Sequence, residues 1–179
     1  MCYAAKKLAN RGVDLIEIFD QVGNLADLAE AISVQQQAIR LTPNAHADMP
    51  GRLNNLGNSY QRRFKRTGEI SNIEEAISAQ QQAVQLTLNG HADMPMWLNN
   101  LGISYQRRFE RTGEISDIEK AVSAQQQAVQ LTPNGHTDMP KWLNNLGNSY
   151  ECRFECTGEI SDIEEAISAQ QQAVQLTPN

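Results

Sequence analysis

Residues 98–140 read LNNLGISYQRRFERTGEISDIEKAVSAQQQAVQLTPNGHTDMP, and the rest of the chain copies them. Leu53, Leu98 and Leu143 stand 45 residues apart, and Gly57, Gly102 and Gly147 keep the same interval. The offset applied backwards lands on Leu8, Gly12, Gly23, Asp27, Ala31 and the run Gln35-Gln36-Gln37, so a diverged first copy aligns without gaps. The chain therefore divides into repeats at 8–52, 53–97, 98–142 and 143–179, the last one short, after an N-terminal remnant at 1–7. A fixed period in this range marks a supersecondary unit that buries its apolar face by stacking on its neighbours, which predicts one continuous solenoid domain.

Within a copy the spacing predicts two helices, A and B. Helix A of the second copy starts near Asp48-Met49-Pro50, where Asp can cap and Pro is tolerated. Leu53, Leu56, Gly57, Tyr60 and Phe64 then form one narrow apolar stripe. Gly57 in the middle of that stripe costs about 1 kcal/mol against Ala, which is consistent with a close approach by another helix. Gly68 is placed to stop the helix behind the cations Arg62, Arg63, Lys65 and Arg66. Helix B opens with Ser-x-x-Glu at Ser71, Ser116 and Ser161, the pattern of a capping box. Its apolar arc covers about half the circumference, enough for two neighbours. The expectation is that Ile73, Ile77 and Val84 face the copy's own helix A, and that Ala76, Ala79 and Ala83 face helix A of the next copy. Gln35, Gln80, Gln125 and Gln170 fall inside that arc, and because a buried amide without partners is costly they are expected to bond a neighbouring helix. Pro133, after Leu131-Thr132, is expected to end the helix. In the first copy Arg11 replaces an apolar Leu, which suits an outward-facing end.

Bulk properties exclude several function classes. With 15 Lys+Arg against 21 Asp+Glu the net charge is −6, which disfavours a general nucleic-acid or anionic-membrane binder. No apolar run reaches membrane-spanning length, and MCYAAKKLANRG lacks the apolar core of a secretory signal, so a cytoplasmic address is expected. Cys2, Cys152 and Cys156 form no even disulfide framework. Cys152 and Cys156 share one helix face but replace arginines of the earlier copies and have no second Cys or His pair nearby, which reads as drift rather than a metal site. His46, His91 and His136 recur as His-x-Asp in the inter-repeat loops, too far apart for a catalytic cluster, and are read as turn and capping residues. No phosphate loop, HExxH or nucleophile motif is present, so no enzyme activity, metal or cofactor is expected.

The repeat resembles the tetratricopeptide repeat (TPR). Leu98-x2-Leu101-Gly102-x2-Tyr105 matches its first half, with Leu in the usual Trp place, and Ala121, Gln125, Ala128 and Pro133 follow its second half, with Gln in the Phe place. The stretch from Tyr to Ala is about seven residues longer than usual, and that from Pro to the next Leu about four. The LNN opening is also similar to the long repeats of kinesin light chains, and the full string to fungal TPR arrays that accompany CHAT or nucleotide-binding signalling domains. The resemblance covers all but the first few residues and implies an all-α, TPR-like α-solenoid of four helix-turn-helix repeats.

It also implies a concave wall of A helices that holds a peptide. On the helical wheel Asn54, Asn58, Gln61 and Arg62 lie on one polar stripe beside the core face; Asn99, Gln106 and Arg107 follow in the third copy, and Asn144, Asn148 and Glu151 in the fourth. Asn and Gln amides each offer a donor and an acceptor to an extended backbone, and Arg forks favour carboxylates. A solvated face is the plain alternative, although the recurrence of Asn, a poor helix former, weighs against it. The functional expectation is a non-catalytic protein-interaction scaffold. The alternatives are a spacer or oligomerisation rod, self-associating through an uncovered alanine side of Ala166, Ala169 and Ala173, and a regulatory fragment of a larger CHAT-peptidase or signalling protein.

Overall fold

A computed structural model describes residues 2–177, without the side chain of Cys2; the closing Pro178-Asn179 lies outside the described residues. These residues form eight α-helices and no strand: α1 (Cys2–Val22), α2 (Leu25–Arg40), α3 (Met49–Thr67), α4 (Ile70–Leu86), α5 (Met94–Thr112), α6 (Ile115–Leu131), α7 (Met139–Thr157) and α8 (Ile160–Leu176). Odd-numbered helices are the A helices and even-numbered ones the B helices. None is long and apolar enough to cross a membrane. The chain forms two compact units, one holding α1–α4 and the other α5–α8.

The A helices begin and end where the residues direct. Proline occupies the first turn of α3, and Gly68 closes it in the left-handed conformation (φ 71°), its N–H donating to the Phe64 carbonyl at 2.8 Å. The Asp48 carboxylate makes no capping bond; it accepts instead from Arg52 at 3.0 Å. The B helices depart from expectation at their starts. α4, α6 and α8 begin at Ile70, Ile115 and Ile160, one residue before the serine, with Glu69, Glu114 and Glu159 as N-caps and no side-chain capping bond. No capping box forms. In the turn after Gly68 the Glu69 N–H donates to the Thr67 hydroxyl (3.3 Å), and this bond recurs at Glu114 and Glu159. The helix is thereby started early, and the serine lies within its first turn, exposed.

The third helical position instead holds a buried polar residue: Asn72, Asp117 or Asp162. Arg108 of α5 grips Asp117 with two hydrogen bonds of 2.7 Å, and Arg153 of α7 grips Asp162 at 2.9 and 2.5 Å. In unit one Arg63 donates to the Asn72 side-chain oxygen. This clamp ties the ends of α3, α5 and α7 to the starts of α4, α6 and α8; α1 carries Ile18 at the arginine place. The hydrogen bond to Asp162 raises the Arg153 pKa above its ordinary value, keeping the guanidinium charged.

The packing reverses the expected use of the two sides of helix B. In unit two Ala169 and Ala173 of α8 pack on Met139 and Leu143 of their own A helix, and Ala166 joins Leu146 and Tyr150. Val122 and Val129 of α6 pack on the same α7, which is the next A helix. Unit one repeats the scheme: Ala83 of α4 lies with Met49 and Leu53 of α3, its own A helix, and Ile39 of α2 packs against that cluster. The reason is clearance. At Gly57 an added Cβ would come within 2.6 Å of the Gln80 Cγ and 3.1 Å of the Ala76 carbonyl oxygen, so the helices of one repeat approach nearly backbone to backbone. Small side chains predominate beside such an approach, with Val34 of the first repeat packed there on Leu15 of α1, whereas the seam between repeats takes branched side chains.

One consequence appears on α8. Its alanines are covered (Ala166 2 %, Ala169 5 % and Ala173 1 % exposed), while Ile167 and Val174 are 49 % and 74 % exposed. The uncovered surface of the fourth repeat is thus its isoleucine and valine side, not its alanine side. α1 begins at Cys2, so residues 2–7 continue into the first A helix. Arg11 is exposed there and pairs with Glu30 of α2.

Candidate functional site

The A helices of each unit stand side by side, α1 with α3 and α5 with α7. Their polar residues fall into three groups according to what they face.

In unit two the seam between α5 and α7 is closed by hydrogen bonds. Asn145 donates to the Asn99 side-chain oxygen at 2.9 Å, and Ser149 donates to the Gln106 oxygen at 3.2 Å. The Gln106 amide in turn donates to Glu110 (3.1 Å) and Cys152 (3.6 Å). Asn99 is wholly buried and Gln106 half-buried, so both hold helices together rather than face a ligand. In unit one Asn54 and Gln61 are also buried. Arg62 of α3 reaches across to Asp20 of α1 with hydrogen bonds of 3.0 and 2.9 Å.

A second group turns toward the B helices. Asn58 accepts from the Gln80 amide at 3.1 Å, as expected for a buried glutamine. Ile103 stands at the Asn58 place in the third repeat, and Val13 in the first. Gln125 is fully buried there, and among the described residues neither end of its amide has a hydrogen-bond partner; the same holds for the oxygen of Gln35. The expected bonding of these glutamines is therefore met at Gln80 and fails at Gln125, because the partner position has become apolar.

The third group is open. Asn144, Asn148 and Glu151 of α7 are exposed at spacing i, i+4, i+7, which places them on one face. Arg107 of α5 is half-buried. Asn144 also lines a cleft of about 560 Å³ with Lys141, His136, Met139 and Leu176. Ten candidate residues thus resolve into a buried seam, an inward-facing contact and an accessible stripe. The residues missed from the sequence are the seam partners Asn145, Ser149 and Asp20. The second Asn of the LNN motif was the available signal.

Other reactive side chains sit where they do little chemistry. Burial, followed by Glu110, Glu155 and Glu151, pushes the Cys152 thiol pKa up, although its bond from Gln106 acts the other way. Among the described residues no group of three or more His, Cys, Asp or Glu is arranged to hold a metal ion. The Nδ1 atoms of His46, His91 and His136 accept from the N–H of Asp48, Asp93 and Asp138 at 3.1, 3.2 and 3.1 Å. Each histidine thus shapes the loop leading into the next A helix.

No family model and no curated protein matches the sequence. Solved structures do. One described as the DHF58 filament is 13 % identical with a TM-score of 0.58, covering 98 % of this chain and 93 % of the other. The crystal structure of MamA is 19 % identical with a TM-score of 0.57, covering 98 % and 85 %. TPR-like repeats of a Podosopora anserina protein described as a kinesin light chain align at 13 % identity over 95 % and 96 %, at a TM-score of only 0.47. At such identities the likeness is one of fold: this chain is an all-α array of TPR-like helix pairs.

Proposed function

We propose that this protein is a non-catalytic scaffold that holds an extended protein segment on the polar face of its A helices, in a reducing cytoplasmic setting. The observation that carries the reading is the open stripe of Asn144, Asn148 and Glu151 on α7. Amides four residues apart on a helix present alternating donors and acceptors to a peptide backbone, and the carboxylate beyond them favours a basic residue in the ligand. TPR-like fold neighbours support an interaction role in general terms.

The test is capture of partners by the wild-type chain against an Asn144→Ala/Asn148→Ala/Glu151→Ala variant. The reading expects the same prey to disappear from the variant while its helical content and melting temperature stay unchanged. Prey retained by a folded triple variant overturns it. Asn54 and Asn99 are unsuitable for this purpose, since both are buried and their loss would perturb the fold.

A spacer or oligomerisation role is the second reading. It is favoured by the Asn99–Asn145 and Gln106–Ser149 bonds, which close the seam of the α5–α7 wall.

A further inference from the structure

The seam between neighbouring A helices is finished with arginine in one unit and with cysteine in the other. In unit one Arg62 of α3 spans to Asp20 of α1, its Nε and Nη2 donating to the two carboxylate oxygens at 3.0 and 2.9 Å. One turn further on, Arg66 donates to the Gly23 carbonyl at 3.5 Å. Two periods along the chain, the places of Arg62 and Arg66 are taken by Cys152 and Cys156 of α7, while Glu110 of α5 stands where Asp20 does. The carboxylate is kept and the guanidinium is lost. A thiol is several bonds too short to cross the seam, so the neutral Gln106 amide takes over, donating to Glu110 at 3.1 Å and to the Cys152 sulfur at 3.6 Å.

The gap is open and negative. Burial first, and then Glu110, Glu155 and Glu151, push the Cys152 thiol pKa up, so three carboxylates act on this one spot. All three are exposed, and among the described residues none of them forms an ion pair. The filled counterpart in unit one shows which cation the geometry accepts. We infer that unit two carries an arginine subsite: a segment lying on its A helices inserts one arginine beside Cys152, and the guanidinium bonds Glu110 as Arg62 bonds Asp20. Arginine suits the place better than lysine because its planar fork reaches both carboxylate oxygens at once. Unit one offers no such subsite, since Arg62 already fills it. For the segment, though not for the subsite itself, the inference rests on the scaffold reading above.

The probe is Nα-acetyl-L-arginine amide, titrated into the full chain and followed by NMR at the Gln106 side-chain amide and the Glu110 carboxyl carbon. Saturable shifts at about millimolar probe are expected, with the lysine analogue about two- to fivefold weaker and the neutral citrulline analogue without effect. Cys152→Arg should abolish the shifts while keeping the wild-type melting temperature, because it installs the side chain that unit one already accommodates at this place. Glu110→Gln, at an exposed position, should weaken binding about two- to fivefold. Citrulline acting as well as arginine, shifts that survive Cys152→Arg, or undiminished binding by Glu110→Gln overturns the subsite. Prey captured through Asn144 and Asn148 with no saturable arginine shift overturns the subsite and leaves the scaffold reading standing. Arginine shifts with no prey captured do the reverse.

Discussion

Gly102 of α5 lies directly against Gln125 of α6: a Cβ on the glycine would come within 2.6 Å of the glutamine Cγ and 3.1 Å of the Ala121 carbonyl oxygen. The contact recurs between Gly12 and Gln35, Gly57 and Gln80, and Gly147 and Gln170, so it sets the spacing of the helices within each repeat. A glycine in mid-helix is unfavourable by about 1 kcal/mol against alanine, yet here the alanine methyl would meet backbone. Gly102→Ala is therefore expected to lower stability by about 1–2 kcal/mol, overpacking outweighing the gain in propensity. Gly51, in the first turn of α3 with nothing within 4 Å of the same ideal Cβ, is the control, and Gly51→Ala should raise stability by up to about 1 kcal/mol. Denaturant midpoints of the two variants decide the matter.

Gln125→Met should stabilise the protein by about 1 kcal/mol or more, since a fully buried amide without a partner gives way to an apolar chain of similar volume. The same substitution at Gln80 breaks the bond to Asn58 and should destabilise by about 0.5–1.5 kcal/mol. Urea denaturation of both variants reads opposite signs from one substitution in one motif.

Arg108→Ala strips the buried Asp117 carboxylate of its bidentate partner, leaving only Lys120 at 3.9 Å, and should cost about 3 kcal/mol. Arg63→Ala faces the neutral Asn72 and should cost about 1 kcal/mol. Thermal unfolding compares the two, and equal losses would show that the charge on Asp117 is immaterial to the clamp.

Asn99→Ala and Asn144→Ala alter the same residue of the same motif. The first removes the acceptor of Asn145 from a buried seam and should cost about 1–2 kcal/mol; the second, on the open stripe, should stay within about 0.5 kcal/mol of wild type. Chemical denaturation distinguishes them.

Cys152 should resist alkylation at neutral pH. Burial and its neighbouring carboxylates raise its pKa, the thiolate is the reactive form, and labelling should climb only as pH passes above the ordinary cysteine range. Cys156 is exposed on the same helix and should label first, as peptide mass mapping with iodoacetamide would show. Cys152 labelling as fast as Cys156 at pH 7 contradicts this.

Much of the fold was legible in the chain because it depends on local chemistry. The interval between Gly57, Gly102 and Gly147, the proline in the first turn of α3 and the left-handed Gly68 follow from helix geometry and backbone conformation. The end of helix B is a partial case. α4 stops at Leu86 although Leu88 replaces the proline, and Thr87 bonds the Ala83 carbonyl just as Thr132 bonds that of Ala128, so the threonine marks the end that proline was expected to mark. The start of helix B was misread because Ser71 and Glu74 match a capping pattern, whereas the turn through Thr67 and Gly68 starts the helix a residue earlier.

The sequence by itself determined the 45-residue period, the pairing of helices and the apolar arc of each. The tertiary structure alone decided which edge of that arc meets which neighbour, and which of the repeated asparagines remain open. A periodic pattern specifies the width of a buried surface but not its partner. Ala169 faces its own A helix, as Val34 does at the same place in the first repeat, because the glycine–glutamine contact draws the two helices of a repeat together on that side. Asn99 is sealed by Asn145 while Asn144 stays exposed, since burial depends on what the next helix brings, and one residue type in one motif can occupy either place.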